Sequence, residues 1–216
     1  MVTKKNEAAG RRGRLPAHAK QERVGQVLDA ALRVIAANGY ERATMRDIAV
    51  EAGASKETLY AWFGSREGLV TALIETNADH TATRLANALR ADDSAPATAR
   101  DTLTGYAAGL LTLLTSEASV ALNRAALTSP ELAHVLLTSG RHRIGPIVES
   151  YLSRLHHQGL IHAPDPDLAY RTLYGLVVRD TQIRVLLGEA APTRGQIIRH
   201  AEAAVAGFWT LHHGAE

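Results

Sequence analysis

A chain of 216 residues, 46% hydrophobic and 21% charged, is long enough to bury a sizeable core and too apolar to be disordered. It has no cysteine, which excludes disulfides and zinc–thiolate sites and fits a reducing, cytoplasmic setting. The net charge of +2 hides an asymmetry: residues 1–68 hold twelve Lys/Arg against eight Asp/Glu, whereas residues 69–216 hold twelve against fourteen. A basic front end suits a polyanion bound at one end, though a solvated basic tail has the same signature. The N-terminus has no apolar stretch before Gly10, so it does not read as a secretory signal. The longest uncharged run, Thr102 to Ser116, is shorter than the roughly 20 residues of a membrane span and reads as a buried helix.

In chain order, residues 1–17 lack periodicity and are expected to form a flexible basic arm. From Ala19 to Asn38, Val24, Val27, Leu28, Ala31, Leu32 and Ile35 recur at helical spacing, and Gly39 supplies the stop. Thr44 and Asp47 make a capping-box-like start for a short helix through Ile48, Ala49 and Ala52, which Gly53 ends. Ser55 caps a third helix with Leu59 and Phe63 on one face. Gly64 breaks it, and Ser65, with Glu67 in the first turn, opens a fourth helix of about 25 residues, long for a globular protein. Ser94 and Pro96 open a helix carrying Leu103, Tyr106, Leu110, Leu111 and Leu114, and a shorter one follows over about 117–127. Ser129-Pro130-Glu131 starts a helix toward His157, bent near Gly140 or at Gly145-Pro146 and stopped by Gly159. Asp165-Pro166 opens the next, through Leu186, and Pro192-Thr193 the last, with Ile197, Ala201, Ala204, Val205, Phe208 and Trp209. With no sustained period-two alternation and no internal repeat, the expected fold is all-α with about nine helices.

Residues 44–63 carry the functional signal. Two short helices joined by a turn at Gly53 have the proportions of a helix-turn-helix, with Ile48, Ala49 and Ala52 packing on Leu59 and Phe63 where the helices cross. The outer face of the second helix then shows Ser55, Lys56, Thr58, Ala61 and Trp62, a small and polar surface able to enter a major groove. The lengths alone would equally permit a structural helical hairpin.

Taken together, Tyr40, Thr44, Asp47-Ile48-Ala49, Ala52-Gly53-Ala54-Ser55, Thr58-Leu59-Tyr60, Phe63 and Ser65-Arg66-Glu67-Gly68-Leu69 closely resemble the DNA-binding domain of TetR-family regulators, over about residues 20–75. The stretch from Pro130 to Gly188 is more loosely similar to regulatory domains of that family. The resemblance implies a helix-turn-helix domain over 18–64, a helical ligand-binding and dimerisation domain over 65–216, and repression relieved by a small molecule. Carried over position by position, it puts Ser55, Lys56, Thr58 and Ala61 against base edges, with Lys56 placed to read guanine and Ala61 to meet a thymine methyl. Thr44, Arg46, Tyr60, Trp62 and Arg66 would meet phosphates. Trp62 stands where the family often has histidine, and Glu57 where a small residue is commoner. Glu57 either stabilises the helix start or accepts from a cytosine amino group. Arg11, Arg12 and Arg14 could track an adjacent minor groove.

For the body, the resemblance implies that the last two helices, about Pro166–Leu187 and Thr193–His212, pair with their two-fold mates, Ala201, Ala204 and Ala206 allowing close contact. The alternative is that this stripe is ordinary intrachain core. Tyr106, Asn123 and His142 are the candidate ligand contacts, drawn from the polar residues set in apolar patterns. With two phenylalanines in the chain, an aromatic cage is not expected and a mostly aliphatic ligand is preferred. The ten histidines show no His-x-x-x-His spacing, and the adjacent pairs diverge by about 100°, so no metal and no cofactor is expected. No phosphate loop, dinucleotide turn, Gly-x-Ser-x-Gly elbow or zinc-protease signature points to an enzyme. The expected partners are double-stranded operator DNA, a small-molecule ligand and a second copy of the chain, with no membrane. A helical adaptor binding protein alone is the rival, separable by the steep salt dependence of phosphate contacts.

Overall fold

The computed structural model describes residues 17–90 and 95–212. The expected basic arm, apart from the backbone of Ala17, lies outside the described residues, as does Ser94. Within them all regular structure is helical: α1 (Ala17–Asn38), α2 (Met45–Glu51), α3 (Lys56–Phe63), α4 (Arg66–Ala88), α5 (Pro96–Leu114), α6 (Glu117–Thr128), α7 (Pro130–Leu136), α8 (His142–His157), α9 (Pro166–Val178), α10 (Thr181–Leu186) and α11 (Arg194–His212). A 3-10 turn, Tyr40–Arg42, precedes α2, and a π turn, Leu137–Arg141, makes α7 and α8 continuous.

The helices begin where local chemistry satisfies their free amides. Thr44 and Asp47 cap α2 reciprocally, and the side chains of Ser55, Ser65, Ser116, Ser129 and Asp165 accept from the amide of the third residue of α3, α4, α6, α7 and α9. Proline occupies the first position of α5, α7 and α9, where its missing N–H is not needed. α2 hands over to α3 at Gly53, whose φ of 56° is a left-handed conformation that side chains resist.

Two cores result. The first gathers α1, α2, α3 and the front half of α4 around Val27, Ile35, Ile48, Leu59, Leu69 and Leu73, and is completed by Ala121, Leu122, Ala125, Ala126 and Leu132 of α6 and α7. The second joins α5, α8, α9 and α11 through Leu103, Leu152, Leu155, Leu173, Phe208 and Trp209. α4 reaches both: Leu69 to Ile74 lie in the first, while Leu85 and the C-cap Leu89 lie against the second. Burying side chains of this size stabilises by about 1.5–3 kcal/mol each, so α4 is held firmly at both ends.

Two expectations for the C-terminal part are corrected. The helix from Pro166 does not run unbroken to Leu187: Arg179, with φ 45° and ψ −129°, separates α9 from α10. It is the single non-glycine positive φ among the described residues, and no glycine or proline marks the place. Of the alanines assigned to a two-fold contact, Ala201 and Ala204 are buried in the chain's own second core, and Ala206 alone is exposed. The α11 stripe faces α5 and α9, because Phe208 and Trp209 need that interior.

Candidate functional site

The exposed residues of α3 are Lys56, Glu57, Tyr60 and Ala61, a stripe at helical spacing turned away from the side that buries Leu59. Ser55, at the cap, is exposed and continues it. Thr58 and Trp62, one turn apart, border the stripe half-buried. Thr44 and Arg46, at the start of α2, are exposed. Lys56 and Arg46 make no ion pair among the described residues. The site thus offers two free cations, an exposed phenol and two small side chains, all on the short helices.

Several groups are more occupied than the sequence suggests. The Ser55 hydroxyl accepts from the Thr58 amide at 3.1 Å and lies 2.9 Å from the Thr58 hydroxyl. The Thr44 hydroxyl donates to Asp47 at 2.6 Å, which holds the Asp47 carboxyl below its usual range. Trp62 packs on the first core, edge-on to Phe63 at 6.3 Å between centroids. Glu57 is held below the usual carboxylate range by its own backbone amide, then by the Ser55 hydroxyl, so it stays charged at the start of α3, where the helix dipole favours an acid.

Arg66 has a different occupation from the phosphate contact implied for it. Its guanidinium lies 4.2 Å over the Tyr40 ring and donates to the carbonyls of Tyr40, Ala43 and Glu41 at 3.1, 3.3 and 3.4 Å. Tyr40 in turn donates to Glu67 at 3.2 Å. Burial pushes the Tyr40 phenol up, opposed by Arg66, while Glu67 is held low chiefly by its own backbone amide. This cluster ties the start of α4 to the turn before α2.

Arg23 was visible in the sequence only as part of a basic tally. In the structure its guanidinium donates to the carbonyls of Ala52 and Gly53, both at 2.8 Å, clamping the turn between α2 and α3 onto α1. Arg33 pairs with Glu51 at 2.8 Å, and Arg42 caps the Asn38 carbonyl at 2.9 Å. Residues 17–68 hold seven Lys/Arg and seven Asp/Glu, so the basic excess of the front end sits entirely in residues 1–16. Those residues, with Arg11, Arg12 and Arg14, lie outside the described ones.

Of the three candidate ligand contacts, Tyr106 and His142 both lie near Tyr170, and Asn123 lies on another helix. Tyr106 is buried on α5 against Tyr170. His142 is exposed at the start of α8 and borders a cavity that Tyr170 also lines. Asn123 lies on α6 and donates to the Ser119 carbonyl at 2.8 Å, a bond internal to its helix. No group of three or more His, Cys, Asp or Glu among the described residues is arranged to hold a metal ion. No single helix among them is long and apolar enough to cross a membrane.

Comparison with known proteins agrees with this geometry. Residues 27–73 match the model of bacterial regulatory proteins of the tetR family, and residues 101–212 that of the AefR-like transcriptional repressor C-terminal domain. The HTH-type transcriptional activator FasR of Mycolicibacterium smegmatis is 40% identical over 88 residues, 40% of this chain and 39% of its own length. A crystal structure of a TetR regulator from Agrobacterium tumefaciens is 34% identical, with a TM-score of 0.74 over 88% of this chain and 94% of that one. The fold is also that of FadR from Bacillus subtilis in complex with stearoyl-CoA, at 20% identity and a TM-score of 0.69, covering 85% of this chain and 96% of that one. With both of its parts matched, the chain belongs to the TetR family of transcriptional regulators.

Proposed function

We propose that this regulator is a cytoplasmic repressor that binds a palindromic operator as a two-fold dimer and is released by a small-molecule ligand. The observation that carries the DNA-binding part is the exposed face of α3 and the start of α2: Lys56 and Arg46 are unpaired cations on a scaffold fixed by Arg23, the Thr44–Asp47 cap and Gly53. Ser55, Lys56, Thr58 and Ala61 read bases; Thr44, Arg46, Tyr60 and Trp62 meet phosphates; Arg66 positions them through Tyr40. Repression, rather than the activation named for FasR, is favoured by the match of residues 101–212 to a repressor's C-terminal domain.

Dimerisation is supported by the large apolar side chains that α9, α10 and α11 leave exposed: Leu168, Ile183, Leu187, Ile198 and Leu211. Exposed large apolar side chains gathered on these last helices favour an association surface there. Ligand release rests on α4, which is anchored in both cores and begins directly after α3. The test is retention of the chain's own upstream intergenic DNA against scrambled DNA at two salt concentrations, followed by transcription from that DNA with and without the protein. Specific, salt-sensitive retention with lowered transcription is the expected result. Binding with raised transcription would make the protein an activator, and equal retention of scrambled DNA would remove the operator reading.

A further inference from the structure

Beside the second core lies a polar cluster that packing alone does not explain. Tyr106 of α5 and Tyr170 and Tyr174 of α9 are three of the chain's six tyrosines. Tyr106 is 9% exposed and its hydroxyl makes no well-aligned hydrogen bond, the Tyr170 hydroxyl being the group close enough to act on its ionisation. Phenylalanine would fill the same space without burying an unbonded hydroxyl. Burial pushes both the Tyr106 and Tyr170 phenols up, so each presents an O–H donor at neutral pH.

Arg141, the last residue of the π turn, stacks its guanidinium 4.4 Å over the Tyr174 ring, and Tyr174 meets Tyr170 edge-on at 6.1 Å. Arg141 makes no ion pair among the described residues, whereas its neighbours are engaged: Arg143 with Asp79 of α4, and Arg171 with Asp167 at 2.5 Å. A cavity of about 260 Å³ opens here, with Arg141, Gly145 and Tyr170 in its lining. Gly145 makes room for the ring, since a Cβ there would meet Tyr170 Cε1 at 3.1 Å. Glu149 and Asp167 also line the cavity; Asp167 is paired with Arg171, and of the two charges left, Arg141 is the one stacked on the tyrosine cluster. The Tyr170 phenol and an Arg141 guanidinium without an ion pair, both in the cavity's lining, call for an anionic acceptor. The size, at the low end for ligand pockets, suits one or two rings better than a long chain.

We propose that the Arg141–Tyr106–Tyr170–Tyr174 cluster is the ligand site, and that it takes a small aromatic carboxylate. The carboxylate pairs with Arg141 and the Tyr170 hydroxyl, which the buried Tyr106 hydroxyl beside it holds in place, and the ring lies along the cavity wall. This replaces the aliphatic preference drawn from the low phenylalanine count. Because the π turn itself packs on α4, and Arg143 just after it bridges to Asp79, a shift of the turn would reach α4. The inference rests on the ligand-release reading only in calling the ligand an effector.

The test is calorimetric titration of the full chain with benzoate, cinnamate and 2-naphthoate, with their methyl esters and dodecanoate as comparison arms. At least one aromatic acid should bind, and about tenfold or more tighter than its ester. Arg141→Gln should erase the acid–ester difference. Tyr106→Phe should weaken the acid about tenfold while raising the melting temperature of the free protein, which a damaged fold would not do. No binding by any aromatic acid, equal binding of acids and esters, or tighter binding of dodecanoate unaffected by Arg141→Gln would each overturn the site. Operator retention in the same preparation separates the two readings. Binding of an acid without release of DNA leaves the site standing and removes ligand release. Release by an acid that Arg141→Gln leaves unchanged removes the site.

Discussion

At the scale of single residues, the basic side chains of the first core divide into those that build and those that are free. Arg23, Arg33, Arg42 and Arg66 are spent on carbonyls, Glu51 and Tyr40, while Lys56 and Arg46 are not. Lys56→Ala should therefore cost about 1–3 kcal/mol of operator affinity and much less on non-specific DNA, read by competition anisotropy; equal losses would make Lys56 a phosphate contact. Arg23→Ala acts on the fold instead. It frees two carbonyls at the helix-turn-helix turn and should destabilise the protein by about 1–3 kcal/mol in urea titrations, with DNA affinity falling only as the fold does. Asp47, Glu57 and Glu67 all titrate below their ordinary range in the folded chain. A depressed carboxyl contributes stability above its unfolded pKa, near about 4.3 for Glu, that is lost as pH falls through the folded value. Melting temperature should thus drop from about pH 5 downward, and Glu67→Gln should make that drop shallower.

At the scale of elements, caps and punctuation carried most of the fold. Thr44, Ser55, Ser65, Ser129 and Asp165 stand in the sequence where α2, α3, α4, α7 and α9 begin, and Gly39, Gly53 and Gly64 where chain direction changes. The expected bend near Gly140 corresponds to the π turn. What sequence could not show was structure without a local cause. The break at Arg179 has no stop residue, so tertiary packing imposes it at a backbone cost of about 1–3 kcal/mol. Arg179→Gly should recover about 1 kcal/mol in denaturant unfolding, because glycine accepts the positive φ. The candidate site was legible to the same degree. Periodicity alone predicts the outer face of α3, but the joining of Tyr106 to Tyr170, more than sixty residues apart, depends on how α5 meets α9. The role of Arg66 was hidden because a cation beside a helix-turn-helix reads as a phosphate contact until its three carbonyls are seen.

At the scale of the molecule, α4 and the exposed apolar residues of the C-terminal helices set what can be coupled. Ile183→Glu replaces an apolar side chain that is 51% exposed with a charge, so the single chain should keep its fold while the proposed dimer dissociates, read as halved mass by light scattering. A variant that stayed dimeric would move the two-fold contact elsewhere. The first core has a further consequence, for how this protein could change over evolution or by design. Ala121, Leu122, Ala125, Ala126 and Leu132, far along the chain, close the interior that α1 to α4 begin. A front-end fragment would leave α1 without α6 and α4 without α7 against it, so the head is no interchangeable cassette. On the proposed reading, a new operator would be reached by changing Lys56, Thr58 and Ala61 in place, because a transplanted head would have to bring α6 and α7 with it.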